Sequence, residues 1–174
     1  IREIQQKLGV TTIYVTHDQE EALAISDKVI VMNNAVIAQE GNPKDLYNFP
    51  KNKFVANFIG DANVVKAEII NKQSNTYELK LAEINVKIEC DNELNSSVSV
   101  ALRPEKIEIK RSNDNNCIHA TVNNASFVGS SYQYILNSKL GKLYVISNDT
   151  NDVFEVGEKV FLNLNEKDIR VLND

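Results

Sequence analysis

His17 lies in the stretch I-Y-V-T-H-D-Q-E-E-A, residues 13–22, where a β-branched run gives way to a histidine and a cluster of acids. Imidazole titrates near neutrality, so a ring placed there can donate, accept or carry a proton. The run ahead of it, residues 10–16, is apolar without polar alternation and predicts a strand buried on both faces of a parallel sheet. His17 then falls at the strand's carboxyl end, the side on which open α/β sheets bind ligands. Two roles are open to it on these grounds: a group that acts on a ligand, or a histidine that satisfies hydrogen bonds where the strand stops. Asp18 reads as a helix N-cap, and Glu21 three residues on completes a capping-box pattern, so part of the acidic cluster has a structural explanation.

Other residues that could do chemistry are few. His119 is expected on a strand, as a half-exposed surface residue. Cys90 and Cys117 have no C-x-x-C spacing and read as small, half-buried apolar residues in a reducing compartment. Arg103-Pro104-Glu105 and Gly129-Ser130-Ser131 read as turns, the first with a solvated salt bridge. A phosphate-cradling G-x-x-x-x-G-K-[ST] loop needs two glycines five apart, and the six glycines at 9, 41, 60, 129, 141 and 157 offer no such pair.

The elements that must position these residues come in two kinds. Ile1, Ile4 and Leu8 form a helical stripe stopped by Gly9; with no capping residue ahead of Ile1 and no initiator Met, the pattern predicts a cut through a longer protein. Ala22, Leu23 and Ile25 give the apolar side of a short helix after His17. Residues 28–32 and 35–39 form two apolar runs divided by Asn33-Asn34, a predicted hairpin. Asn42-Pro43 opens a helix through Tyr47, closed by Pro50, and Phe54, Val55, Phe58 and Ile59 mark a further helix stopped by Gly60. From Ala62 onward no helical period survives. Ten short apolar runs follow instead, at 64–70, 77–81, 84–88, 98–102, 107–109, 118–122, 132–136, 143–146, 160–164 and 169–172. That spacing predicts a small β-barrel or sandwich, with exposed loops at 92–97 and 112–116. The division is thus 1–61 and 62–174, and the class is α+β, mostly β.

Composition narrows the function classes. The chain of 174 residues is 43% hydrophobic, enough for one ordinary domain or two small ones, and no window approaches the roughly 18 consecutive apolar residues of a membrane span. Its start lacks a signal peptide's layout. A net charge of −5 without a basic block, and the absence of tryptophan, argue against a nucleic-acid partner.

The stretch T-T-I-Y-V-T-H-D-Q-E-E-A-L-A-I-S-D-K-V-I-V-M-N-N-A-V-I-A-Q-E-G-N-P-K-D-L-Y-N-F-P-K-N-K-F-V-A-N-F-I-G-D-A-N-V-V, residues 11–65, resembles the end of the nucleotide-binding domain of an ATP-binding-cassette importer of the maltose, polyamine or iron type. A T-H-D-Q-x-E-A switch, a D-K-V-x-V-M hairpin, a G-x-P-x-D-L-Y helix and a P-x-N-x-F-V-A-x-F-I-G helix occur together in the family's order. A-L-R-P-E-K-I-E-I at 101–109, F-V-G-S-S-Y-Q-Y-I-L at 127–136 and D-I-R-V-L at 168–172 are similar to the importers' TOBE domain, an OB-fold-like β-barrel. The resemblance implies the C-terminal remnant of an α/β P-loop ATPase domain over 1–61 and the TOBE barrel over 62–174. It departs from the pattern at Asn33-Asn34-Ala35, where the family usually has a glycine in the hairpin turn.

What the resemblance implies for function is specific. His17 would be the switch histidine, catalytic only in the full-length dimer, where it reaches the γ-phosphate of ATP and stabilises charge in the transition state. Asp18, Gln19 and Glu21 would support it. ATP and Mg2+ would be used by the full-length parent, whereas these residues lack the P-loop, the L-S-G-G-Q signature and the apolar run ending in Asp-Glu, so neither is expected here and the chain should be inactive alone. The expected partners are a second copy, through the barrel or through pairing or exchange of the N-terminal segment, and the membrane permease subunits. The expected location is cytoplasmic, peripheral on the inner face of the plasma membrane. The barrel would support ATPase dimerisation and the regulation of ATP-driven solute uptake. The alternative is a small-ligand module sensing an oxyanion or sugar, with Arg103, Glu105, Gly129 and Ser130 as candidate regulatory positions.

Overall fold

Apolar residues at every second position dominate the chain from residue 62, and each of those runs pairs with another. The computed structural model describes residues 1–112 and 116–173; the expected loop at 112–116 falls mostly outside them. One five-stranded antiparallel sheet takes β3 (Asn63–Gln73), β4 (Thr76–Leu81), β5 (Ile84–Glu89), β6 (Ser97–Leu102) and β12 (Arg170–Leu172), in the order β12-β6-β3-β4-β5. The other takes β7 (Ile107–Lys110), β8 (Ile118–Phe127), β9 (Tyr132–Ser138), β10 (Gly141–Ser147) and β11 (Lys159–Leu164), in the order β10-β9-β8-β11-β7.

Alternation sets the inner faces. Along β5, Ile84, Val86 and Ile88 are buried while Asn85, Lys87 and Glu89 face out. Leu79, Leu81, Val100, Ile118, Leu136, Val145 and Leu162 join them in one core shared by both sheets. Bulges between Ile69 and Asn71 and between Val122 and Asn124 bend the long strands β3 and β8, so the sheets curl around that core as half-barrels. Asn63 links them. Its amide donates to Tyr144 O at 2.7 Å and accepts from Tyr144 N–H at 2.6 Å, pairing the start of β3 with β10 of the other sheet. The mostly β class expected for this part holds, in two curled five-stranded sheets around one core.

Residues 1–61 form helices α1 (Arg2–Leu8), α2 (Gln19–Ile25), α3 (Pro43–Asn48) and α4 (Lys53–Phe58) around a hairpin, β1 (Val29–Asn33) and β2 (Val36–Gly41). Their caps are local: Asp18 accepts from Glu21 N–H, Asn42 from Asp45 N–H and Asn52 from Val55 N–H. Val29, Val31, Leu46, Val55 and Ile59 make a second, smaller core. Among the described residues no helix is long and apolar enough to cross a membrane.

Two expectations fail here. Residues 10–16 form no strand: they run without β pairing, with Ile13 90% and Val15 89% exposed. The apolar pattern records a need for cover, but a strand exists only through its neighbours' backbone groups, and no other described strand lies beside this one. The stripe Ile1, Ile4 and Leu8 on α1 is exposed as well. The hairpin turn is also shifted by one residue, since Asn34 (φ 48°) and Ala35 (φ 62°) are the left-handed pair rather than Asn33 and Asn34.

The two parts meet through β6, which is buried on both faces. Val98, Val100 and Leu102 face the shared core, whereas Ala101 packs outward with Ala56 of α4, Ala62 and Leu172. Small residues at that contact let the helix approach the sheet closely.

Candidate functional site

The turn that carries His17 is closed by its neighbours. Thr16 Oγ1 accepts from Asp18 N–H at 3.0 Å and donates to Glu21 Oε2 at 3.0 Å, while the Tyr14 hydroxyl donates to Glu21 Oε1 at 3.0 Å. Asp18 caps α2 as expected, but Glu21 does not complete the capping box: the Thr16 hydroxyl stands between its carboxylate and the Asp18 N–H. Bonding to Glu21 holds the Tyr14 proton on, raising its pKa above the usual tyrosine value. At the centre of this loop the His17 ring is exposed, and no hydrogen bond joins it to another described residue. Both its nitrogens can therefore reach a group brought from outside.

Gln19, the first residue of α2, looks the other way. Its side-chain oxygen accepts from the Gly60 N–H, just past the end of α4. Gly60 has φ +86°, and a Cβ added to it would lie 2.4 Å from Tyr47 Cε2 and 2.9 Å from Arg103 Nη1. Only glycine fits there, on conformational and on steric grounds.

Arg103 corrects the solvated salt bridge read into Arg103-Pro104-Glu105. It is 7% exposed, stacks on the Tyr47 ring at 4.0 Å, and donates to the carbonyls of Tyr47, Ala56 and Ile59. Those carbonyls belong to the ends of α3 and α4, where helices leave acceptors without intrahelical partners, and a guanidinium supplies the matching fork of donors. Burial lowers the Arg103 pKa, opposed by Tyr47, Glu105 and Asp61. Glu105 pairs not with Arg103 but with the Tyr47 hydroxyl, which donates to it at 2.7 Å. Tyr47 titrates above its ordinary value, first through burial and then through Glu105. Arg170 repeats the device, donating to Asn48 O at 3.0 Å over the Phe49 ring, and Asn173 N–H donates to Lys51 O at 2.8 Å.

The structure thus joins His17, Asp18, Gln19 and Glu21 in one turn and connects it through Gly60 to Arg103 and Glu105. It leaves Gly129 and Ser130 out. They sit on the exposed turn between β8 and β9, closed by Val128 N–H to Ser131 O at 3.0 Å, with open space around Gly129. His119 lies exposed on β8, its ring edge-on to Phe161 at 5.2 Å. Cys90 is half-buried and Cys117 buried. An open groove of about 410 Å3 between the end of α4 and β10 is lined by Asn57, Asp61, Lys142 and Tyr144 among others, none of them singled out in the sequence. Tyr47, Gly60 and Arg170 were also missed as functional positions. A signal for Arg103 was present: a charge directly after five consecutive residues of an apolar strand, and before a proline, sits where the chain is still buried.

Comparison with known proteins adds the following. Residues 100–172 match the TOBE domain family. The chain is 32% identical over 173 residues to the Fe(3+) ions import ATP-binding protein FbpC of Brucella abortus, covering 99% of this chain and 49% of that protein. It is 38% identical over 172 residues to the spermidine/putrescine import ATP-binding protein PotA of Acetivibrio thermocellus, covering 99% and 47%. The chain therefore spans about half the length of the curated relatives it matches. Among solved structures, the cytoplasmic molybdate-binding protein ModG aligns with a TM-score of 0.49 and 9% identity over 62% of this chain and 92% of that one.

Proposed function

We propose that the chain belongs with the importer ATP-binding subunits that carry a TOBE domain, residues 1–61 supplying the switch-histidine end of such a subunit's nucleotide-binding domain and residues 62–174 its regulatory barrel. Similarity along the whole chain, from the switch segment to the last strand, is the observation that carries this reading. In the parent, ATP is the substrate and His17 donates to a phosphate oxygen where charge builds in the transition state. Its open ring, on a turn fixed by Thr16, Asp18 and Glu21, suits that task. Mg2+ would be held by the P-loop and the metal-binding carboxylate, motifs outside these 174 residues. Two such subunits would act together beneath permease subunits at the cytoplasmic face of the membrane, with the barrels supporting the pair.

The test is ATP turnover by the importer-length subunit with its permease. His17→Ala should lower phosphate release by about 10²-fold or more, on the scale of losing one transition-state donor. Unchanged turnover would overturn the role. The 174-residue chain alone should release no phosphate from ATP. Equilibrium dialysis of this chain against molybdate, sulfate, phosphate and sugars should retain none, because Arg103 and Glu105 are occupied at the joint with α3 and α4; retention of any one would favour a ligand-sensing barrel.

A further inference from the structure

The His17 turn and the barrel share no core, yet one chain of contacts runs between them. Gln19 holds the Gly60 N–H; Gly60 lies against Tyr47 and Arg103; Arg103 grips the carbonyls of Tyr47, Ala56 and Ile59; and Tyr47 ties to Glu105 in the turn between β6 and β7. The links are short-range, and apart from them α2 is seated by the partly buried Ala22 and Leu23 against the small core of Val29, Leu46, Val55 and Ile59 and by Arg2 on Ile25 O, with no fully buried residue of its own. We propose that Gln19 is a positioning residue that registers the His17 turn against the barrel, so that a displacement of Arg103 and Glu105 is felt at the switch histidine. The proposal deepens the role assigned to His17 and rests on it for its meaning in an importer, but the coupling itself is a property of this chain.

It is testable without ATP. Amide exchange of residues 22–26 and the NMR resonances of the His17 ring are followed in the 174-residue chain. Arg103→Lys keeps the charge but loses the fork, and should speed exchange of those amides by about tenfold and shift the His17 ring signals. Gln19→Leu should produce the same change, whereas Gln19→Glu, which keeps an acceptor for the Gly60 N–H, should not. In the Gln19→Leu background, Arg103→Lys should add nothing at α2, because the link is already cut. Additive effects of the two changes, or no response of α2 to Arg103→Lys, would overturn the coupling. Protection of amides in β4 and β6 reports whether the barrel remains folded. If Arg103→Lys unfolds it, Tyr47→Phe takes its place in the same cycle with the same criteria. Loss of the coupling would leave the ATP turnover test of His17 untouched, and a failed turnover test would leave the coupling measurable.

Discussion

Single residues at this chain's turns and joints carry energies large enough to measure. Ala35 occupies a left-handed position with φ 62°, which costs an L-residue about 1–2 kcal/mol that glycine avoids. Part of that gain is offset by the freedom glycine adds to the unfolded chain, so Ala35→Gly should stabilise by about 0.5–1 kcal/mol. Thermal unfolding followed by circular dichroism checks this; a lowered Tm would show that the turn carries no strain. Tyr47 gives a pH dependence of known sign. An unfolded tyrosine loses its proton near pH 10, whereas burial and Glu105 hold the proton on in the folded chain. Above that pH the folded state binds more protons than the unfolded, so stability that is complete below pH 10 falls as the pH climbs towards the folded value. Urea unfolding at pH 8 and pH 11 should show a shallower loss for Tyr47→Phe than for wild type; an equal loss would place the effect at other tyrosines. At this scale, legibility followed distance along the chain. Asp18 and Asn42 act three residues away and could be read, but Arg103 answers carbonyls 44 to 56 positions earlier, and nothing in its neighbours' identities announces them.

Elements were legible where their own pattern specifies them. All ten strands from residue 62 onward could be placed as short apolar runs between turns; in most of them one face is buried and the other exposed, as along β5, whereas β6 is buried on both faces. The segment 10–16 carries an equally clear apolar pattern and forms no strand, because periodicity measures the demand for burial and cannot name the partner that meets it. Its exposure has a consequence in solution. Thermolysin, which cuts beside Ile, Val and Tyr, should cleave within residues 10–16 well before any site in β3–β12, leaving a protected fragment identifiable by mass spectrometry. Resistance of this segment comparable to the barrel's would mean that it is covered in solution.

Across the whole molecule, few side chains hold large pieces together. Asn63 fastens one sheet to the other by two hydrogen bonds to the backbone of Tyr144. Asn63→Ala leaves that half-buried backbone pair without partners and should destabilise by about 2 kcal/mol in urea unfolding. A loss under about 0.5 kcal/mol would assign the cohesion of the sheets to the apolar core alone. The helices depend on the barrel in a similarly concentrated way, and partly on residues far along the chain: Arg170 reaches Asn48 O across 122 positions, and Asn173 reaches Lys51. A ribosome builds the chain from the other direction. The helices at 43–58 emerge before Arg103, which grips three of their carbonyls, and long before Arg170 and Asn173, so during synthesis their seat is incomplete until β12 has paired with β6. A chain halted before residue 170 should therefore present unsettled helices at 43–58, because residues 170–173 complete a seat laid down more than a hundred positions earlier.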